Sequence, residues 1–202
     1  MAFNLLLLLN FRKLEYANSE IQIIRSVKTM DPEPSLISNE LIREGYDYWL
    51  RKRGARLMPS RADLDPGGLK RVLPHVLLVD VLGPHQYRYR LIGTECIVAH
   101  GINATGQTLH EALKDYRYRA HVIGLYDQCV KERRPLYSES LFFQTEAAID
   151  RHVKVLFLPL SDDGATVNMI FVMQVIDFID EKAWNNHFTS TKPHKEIVHA
   201  ML

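Results

Sequence analysis

Apolar and polar positions along this chain change period several times, and each change marks an element. Tyr87, Tyr89 and Leu91 alternate with Arg88, Arg90 and Ile92, the period of a strand with one covered face. Gly93 and Thr94 stop that strand, and Gly101 and Gly106 punctuate the next segment too closely for a long helix. A strand from Val76 to Leu82 precedes it, with Gly83-Pro84 as the turn between them. From Asp115 to Arg133 the period becomes helical, with Tyr118, Val122, Leu125 and Cys129 in one apolar stripe. Three further strands come after it, about Leu136 to Gln144, Arg151 to Leu160 and Thr166 to Asp177, the last two joined as a hairpin by Ser161-Asp162-Asp163-Gly164. Val167 to Ile176 is apolar on both faces, which predicts a central strand covered on each side.

Upstream, Asp31-Pro32-Glu33-Pro34 is a stiff, non-helical spacer. Ser35 is expected to cap a helix running to Arg53, where a basic last turn and Gly54 close it. Leu41, Ile42, Gly45, Tyr48 and Trp49 share one side of that helix. Such a side covers a sheet or meets a second copy of the chain, and Leu41, Tyr48 and Trp49 are the candidate dimer anchors. Asp65 followed by Pro66 opens a short helical turn towards Leu73.

This order divides the chain into an N-terminal extension (1–34), one domain (35–178) and a polar tail (179–202) that is expected to be loosely held. The apolar run Leu5 to Leu9 is too short to span a bilayer, and Arg12 and Lys13 lie on the wrong side of it for a secretory signal. It reads as an upstream extension, with Met30 an alternative start, or as a segment that touches a membrane surface without stable insertion. The two plus three strands with helices between them make one small α+β domain.

Charge changes the picture only by exclusion. Twenty-five basic and 24 acidic residues leave a net charge of +1, with the signs interspersed, so no clustered nucleic-acid face is expected. Two cysteines, Cys96 and Cys129, are too few for a disulfide framework and lack metal-ligand spacing, which suits a reducing cytoplasm and a metal-free protein.

One ordered set of residues carries a family likeness. It consists of Trp49 with Arg51, then Pro59-Ser60-Arg61-Ala62-Asp63-Leu64-Asp65-Pro66, then Leu73-Pro74 with Leu78, Asp80 and Val81. It ends with Tyr89-Arg90-Leu91-Ile92-Gly93-Thr94 and Gly101 through Thr105-Gly106 to Leu109. Over roughly Leu36 to Asp177 the chain resembles a PAS domain, more narrowly a family of bacterial stand-alone PAS proteins. The resemblance implies a five-stranded antiparallel sheet, with helices on its concave face enclosing a pocket and the leading helix on the other face. It also implies sensing or protein contact. Flavin-binding relatives carry a cysteine inside an Asn-Cys-Arg run, whereas the comparable Gly101-Ile102-Asn103-Ala104-Thr105-Gly106 has none. Heme-binding relatives often place a histidine on the long helix, where this chain has His121, so heme through His121 stays open.

Candidate chemistry is sparse. There is no G-x-S-x-G, H-E-x-x-H or G-x-x-x-x-G-K pattern. Asp150 and His152 are two apart at a strand start and form an acid/base pair in principle, or simply a hairpin corner. Arg88 and Arg90 suit an anion or a wet strand face. Cys96 and Cys129 read as small buried hydrophobes. The expected function is therefore a non-enzymatic regulatory PAS module that binds a small apolar or amphipathic ligand, a partner protein, or both. Its output passes to another signalling protein, and it is expected to be a homodimer. Leu91, Cys96, Ile97, His100, His121, Leu125, Phe142, Phe157, Phe171 and Met173 are the candidate ligand-binding residues. The rival readings are a thioesterase- or isomerase-like enzyme on a curved sheet, and a scaffolding domain whose interior is filled by side chains.

Overall fold

A computed structural model describes residues 36–144, 149–179 and 194–202. The spacer, Ser35 and the Leu5–Leu9 run lie outside them. Helix α1 (Glu40–Arg53) is capped by Asn39, whose Oδ1 accepts from the amides of Leu41 and Ile42 at 3.0 and 3.2 Å. Three 3₁₀ turns come next (Arg61–Asp63, Pro66–Leu69, Leu73–His75), and Asp65 opens the second by accepting from Gly67 N. Strands β1 (Val76–Gly83) and β2 (Gln86–Ile92) form the first hairpin. Helices α2 (Thr94–His100), α3 (Leu109–Ala112) and α4 (Tyr116–Glu132) lie beyond it, α4 starting on an Asp115 cap. Strands β3 (Leu136–Gln144), β4 (Ile149–Leu160), β5 (Met169–Ile179) and β6 (His194–Met201) complete the chain.

All six strands join one antiparallel sheet in the order β2-β1-β5-β4-β3-β6. The doubly apolar β5 lies between β1 and β4, as its two-faced pattern requires. The sheet has six strands where five were expected. His194–Met201, read from its polarity as tail, pairs with β3 from Leu136↔Met201 to Phe142↔His194. Main-chain pairing needs no apolar side chains at an edge.

Register assigns the two faces. Leu77, Tyr89, Val153, Val155, Phe157, Val172 and Gln174 share the side covered by α2 and α4. Their neighbours Leu78, Leu156, Phe171 and Met173 point to the side covered by α1. Helix α1 can lie close there because residue 45 is glycine; a Cβ on it would fall 2.6 Å from Met173 Cγ.

Several of the family-like residues build this α1 side. Trp49 is fully buried, and its indole N–H donates to Pro159 O at 3.0 Å. The Tyr48 hydroxyl donates to Asp65 O (3.1 Å) and accepts from Asp65 N (2.7 Å). Ser60 and Asp63 form a capping box, and Arg56 reaches Asp63 at 2.9 Å. Hydrogen bonds from Arg56 and Ser60 hold the Asp63 carboxyl at about 2. Gly93 is needed because a side chain there would run into the carbonyls of Leu73 and Pro74. Tyr48 and Trp49 therefore do not present a dimer face. Their apolar and polar surface is used inside the protomer, and Leu41 also packs, half-buried, against the core. An amphipathic stripe marks only that something covers it, and here the cover is the chain's own sheet.

Candidate functional site

Between the sheet and α2 and α4 lies a cavity of about 40 Å³. Its lining combines Leu77, Val122, Leu125, Val153, Val155, Phe157 and Val172 with Tyr89, His100, Tyr118, His121, Tyr126, Ser138, Ser140 and Gln174. Each element contributes for a local reason. The apolar stripe of α4 turns Tyr118, Val122 and Leu125 inward, and Tyr126 stacks edge-on against Phe157 at 4.9 Å and tilted on Tyr87 at 4.9 Å. Helix α2 delivers His100, whose Nε2 lies 2.8 Å from Gln174 Oε1 on β5. As the amide is oriented, its oxygen accepts, so Nε2 carries the proton. The glycine-punctuated segment then returns along β2, where Tyr89 N donates to Gln107 O and Gly106 N to Tyr89 O, covering the outer edge of the sheet.

Burial sets the protonation of several side chains in the cavity wall. Burial lowers the pKa of His100 below its ordinary 6.5, with the nearby Arg151 charge adding to the effect. Burial raises the phenols of Tyr89, Tyr118 and Tyr126, so all three stay protonated. Among the described residues no carboxylate lines it. At one end of the cavity, two buried polar atoms have no hydrogen-bond partner among the described residues: Ser140 Oγ, on a residue only 3% exposed, and Arg151 Nε. Ser140 faces Val153 across the β3–β4 ladder, and Arg151 is the next residue on that face of β4.

Of the candidate ligand residues, His100, His121, Leu125 and Phe157 come together here. Cys96 is buried beside the cavity wall with its thiol 3.9 Å from Gln174 O, and Ile97 is half-buried on the same helix. The Phe142 side chain lies outside those described. Three candidates lie elsewhere. Phe171 and Met173 sit on the α1 side, because a strand apolar on both faces gives its period no direction. Leu91 is displaced by a β-bulge. The register shifts between Leu78 and Val79, leaving Arg90 unopposed, so Leu91 pairs with Leu78 on the α1 side and is 39% exposed. Ile92 takes the inward position opposite Leu77.

Sequence reasoning named His100 and His121 but missed Ser138, Ser140 and Gln174, although isolated polar residues on inward strand positions were a usable signal. Other candidate groups are accounted for structurally. Arg88 and Arg90 clasp the buried Asp80 carboxylate at 2.6–3.2 Å. His152 lies on the α1 side, its Nε2 2.7 Å from Glu139 Oε1, and so does not project into the cavity. The Asp150 side chain lies outside those described. The Glu139 carboxylate also accepts from Tyr137 (3.0 Å) and Ser38 (3.2 Å), and burial pushes the Tyr137 phenol up to about 12. Both thiols are raised by burial, Cys96 to about 12, so neither supplies a thiolate at neutral pH.

Heme does not fit this cavity. Sites for ligands of that size run to roughly 300–1,000 Å³, against about 40 Å³ here. A larger hollow of about 390 Å³ on the outer side of α4 is an open groove beside His85 and Asp127, whose polar ends are paired with each other and with Tyr87. Among the described residues, no three His, Cys, Asp or Glu side chains are grouped to hold a metal, and no helix is long and apolar enough to cross a membrane.

A family model described as PAS domain matches residues 38–174, more than half of the chain. No curated protein matches it.

Proposed function

This chain belongs to the PAS domain family, and we propose that it is a non-enzymatic, cytoplasmic sensory module whose cavity admits a small polar ligand and whose altered surface is read by another signalling protein. The observation that carries this reading is the unpartnered Ser140 hydroxyl in the cavity. A buried hydroxyl left unpaired is costly, and a fold that keeps one there has a use for it. Native mass spectrometry of freshly purified protein, with an absorption spectrum, tests the proposal. A co-purified small molecule that is lost in Ser140→Val supports it. A ligand-free, colourless protein whose melting temperature no metabolite pool raises would count against it.

The small volume favours a second reading, a scaffolding domain with an interior filled by side chains. The two differ in response: a scaffold binds its partner equally well with or without small molecules. The enzyme reading finds no acid/base pair in the cavity among the described residues, since His152 lies on the other side of the sheet. The module is further proposed to act as a homodimer, through a surface other than Tyr48 and Trp49. A monomer mass by light scattering at micromolar concentration rejects that part.

A further inference from the structure

We propose that the polar end of the cavity, at Ser140 and Arg151, receives the carboxylate of a small organic acid of about two or three carbons. The inference rests on the reading of the cavity as the ligand site and adds the chemistry of what enters it. Ser140 supplies a buried hydroxyl with no partner among the described residues, free to donate to an acceptor in the cavity. Arg151 stands next on the same face of β4 as the cavity residues Val153, Val155 and Phe157, and its buried Nε–H is equally unpartnered. Its guanidinium packs 5.8 Å from the Phe178 ring, its cross-strand neighbour, which steadies it at the cavity end of β4 and β5.

Charge selects the class. Among the described residues the lining holds no aspartate or glutamate. Burial keeps His100 neutral, and Arg151 is the described cation whose charge acts on both His100 and Tyr118. A cationic ligand meets repulsion with no counter-charge. A neutral ligand leaves the buried Arg151 Nε–H without a charged acceptor. A carboxylate presents two acceptor oxygens and forms the short, charge-assisted bonds that an arginine fork favours. Size selects the length. A cavity of about 40 Å³ holds roughly three water-sized positions, enough for a carboxylate and one or two carbons.

The test is a titration of the full ¹⁵N-labelled chain with acetate and pyruvate, against acetamide as the neutral isostere and inorganic phosphate as a different anion, all at constant chloride. The amides of Ser140, Val153 and Gln174 report. The expected result is saturable shifts with at least one carboxylate and none with acetamide. Affinity should fall about tenfold or more in Ser140→Ala and Arg151→Gln, and less in Arg151→Lys, which keeps the charge without the fork. Circular dichroism melts confirm that each variant folds. Equal binding of carboxylate and acetamide, unchanged in Arg151→Gln, overturns the acid assignment and leaves the ligand site standing. Saturation by phosphate alone does the same. Silence of the cavity amides to every probe overturns both.

Discussion

On the α1 side of the sheet, Trp49, Tyr48, Asp80 and Glu139 each reach partners at 2.6–3.2 Å. On the cavity side, a short way through the same strands, Ser140 Oγ and Arg151 Nε reach none among the described residues, while on the α1 side Arg53 Nε is also without a hydrogen-bond partner. Many of the residues that mark the family belong to the first side, where they fasten α1, the 3₁₀ turns and the β1–β2 hairpin to one another, whereas Tyr89 lines the cavity. A family signature made of anchors identifies a scaffold without naming what it binds. The ligand chemistry has to be sought on the other face, where Ser140, Gln174 and Arg151 lie outside the signature.

The comparison breaks most visibly at the anchors. Trp49→Ala empties a fully buried site and is expected to cost about 3–5 kcal/mol in urea unfolding. Trp49→Phe keeps most of the volume but strands Pro159 O, for about 1–3 kcal/mol. Tyr48→Phe removes both bonds to the Asp65 backbone and should cost a similar 1–3 kcal/mol, roughly. A Tyr48→Phe variant as stable as the parent would mean that the turn at Asp65 is held by something else.

These anchors also show how much the sequence could disclose. Strand β5 was legible as central because Val167 to Ile176 has no polar face, yet the same feature hid which of its residues face the cavity. Tyr48 and Trp49 were legible as covered, but a helical stripe reads alike whether a sheet or a second protomer covers it. Strict alternation in β2 suggested Leu91 as a lining residue. The bulge at Arg90 reverses it, and that bulge is held by Asp80, a residue ten positions away that clasps Arg88 and Arg90 together. The sixth strand escaped notice because it joins an edge through backbone pairing with β3, and its composition there is that of a tail. The polar cavity residues were visible one by one, but their convergence depends on strand register, which no local pattern specifies.

A smaller effect separates the faces by pH. The folded-state pKa of His100 lies below 6.5, so as pH falls through that value the unfolded chain binds a proton that the folded chain does not. Stability from this group is therefore full above about 6.5 and declines towards acid. Urea unfolding between about pH 5 and 7 should show a shallower pH slope for His100→Gln than for the parent. His152, across the sheet beside Glu139, is common to both proteins, and whatever it contributes drops out of the difference. An unchanged slope would contradict the burial of a neutral His100 against Gln174.

The smallest expected change is the most telling. If the cavity face keeps Ser140 for a ligand, its hydroxyl contributes nothing to the ligand-free fold, and Ser140→Ala should unfold within about 0.5 kcal/mol of the parent or be slightly more stable. The measurement is the paired unfolding free energy of Ser140→Ala and Tyr48→Phe in the same buffer, without added small molecules. A neutral or stabilising serine deletion beside a clear loss at Tyr48 is the predicted result. A Ser140→Ala loss as large as that of Tyr48→Phe would show that the hydroxyl is already satisfied inside the fold, and would contradict the division between an anchoring face and a receiving one.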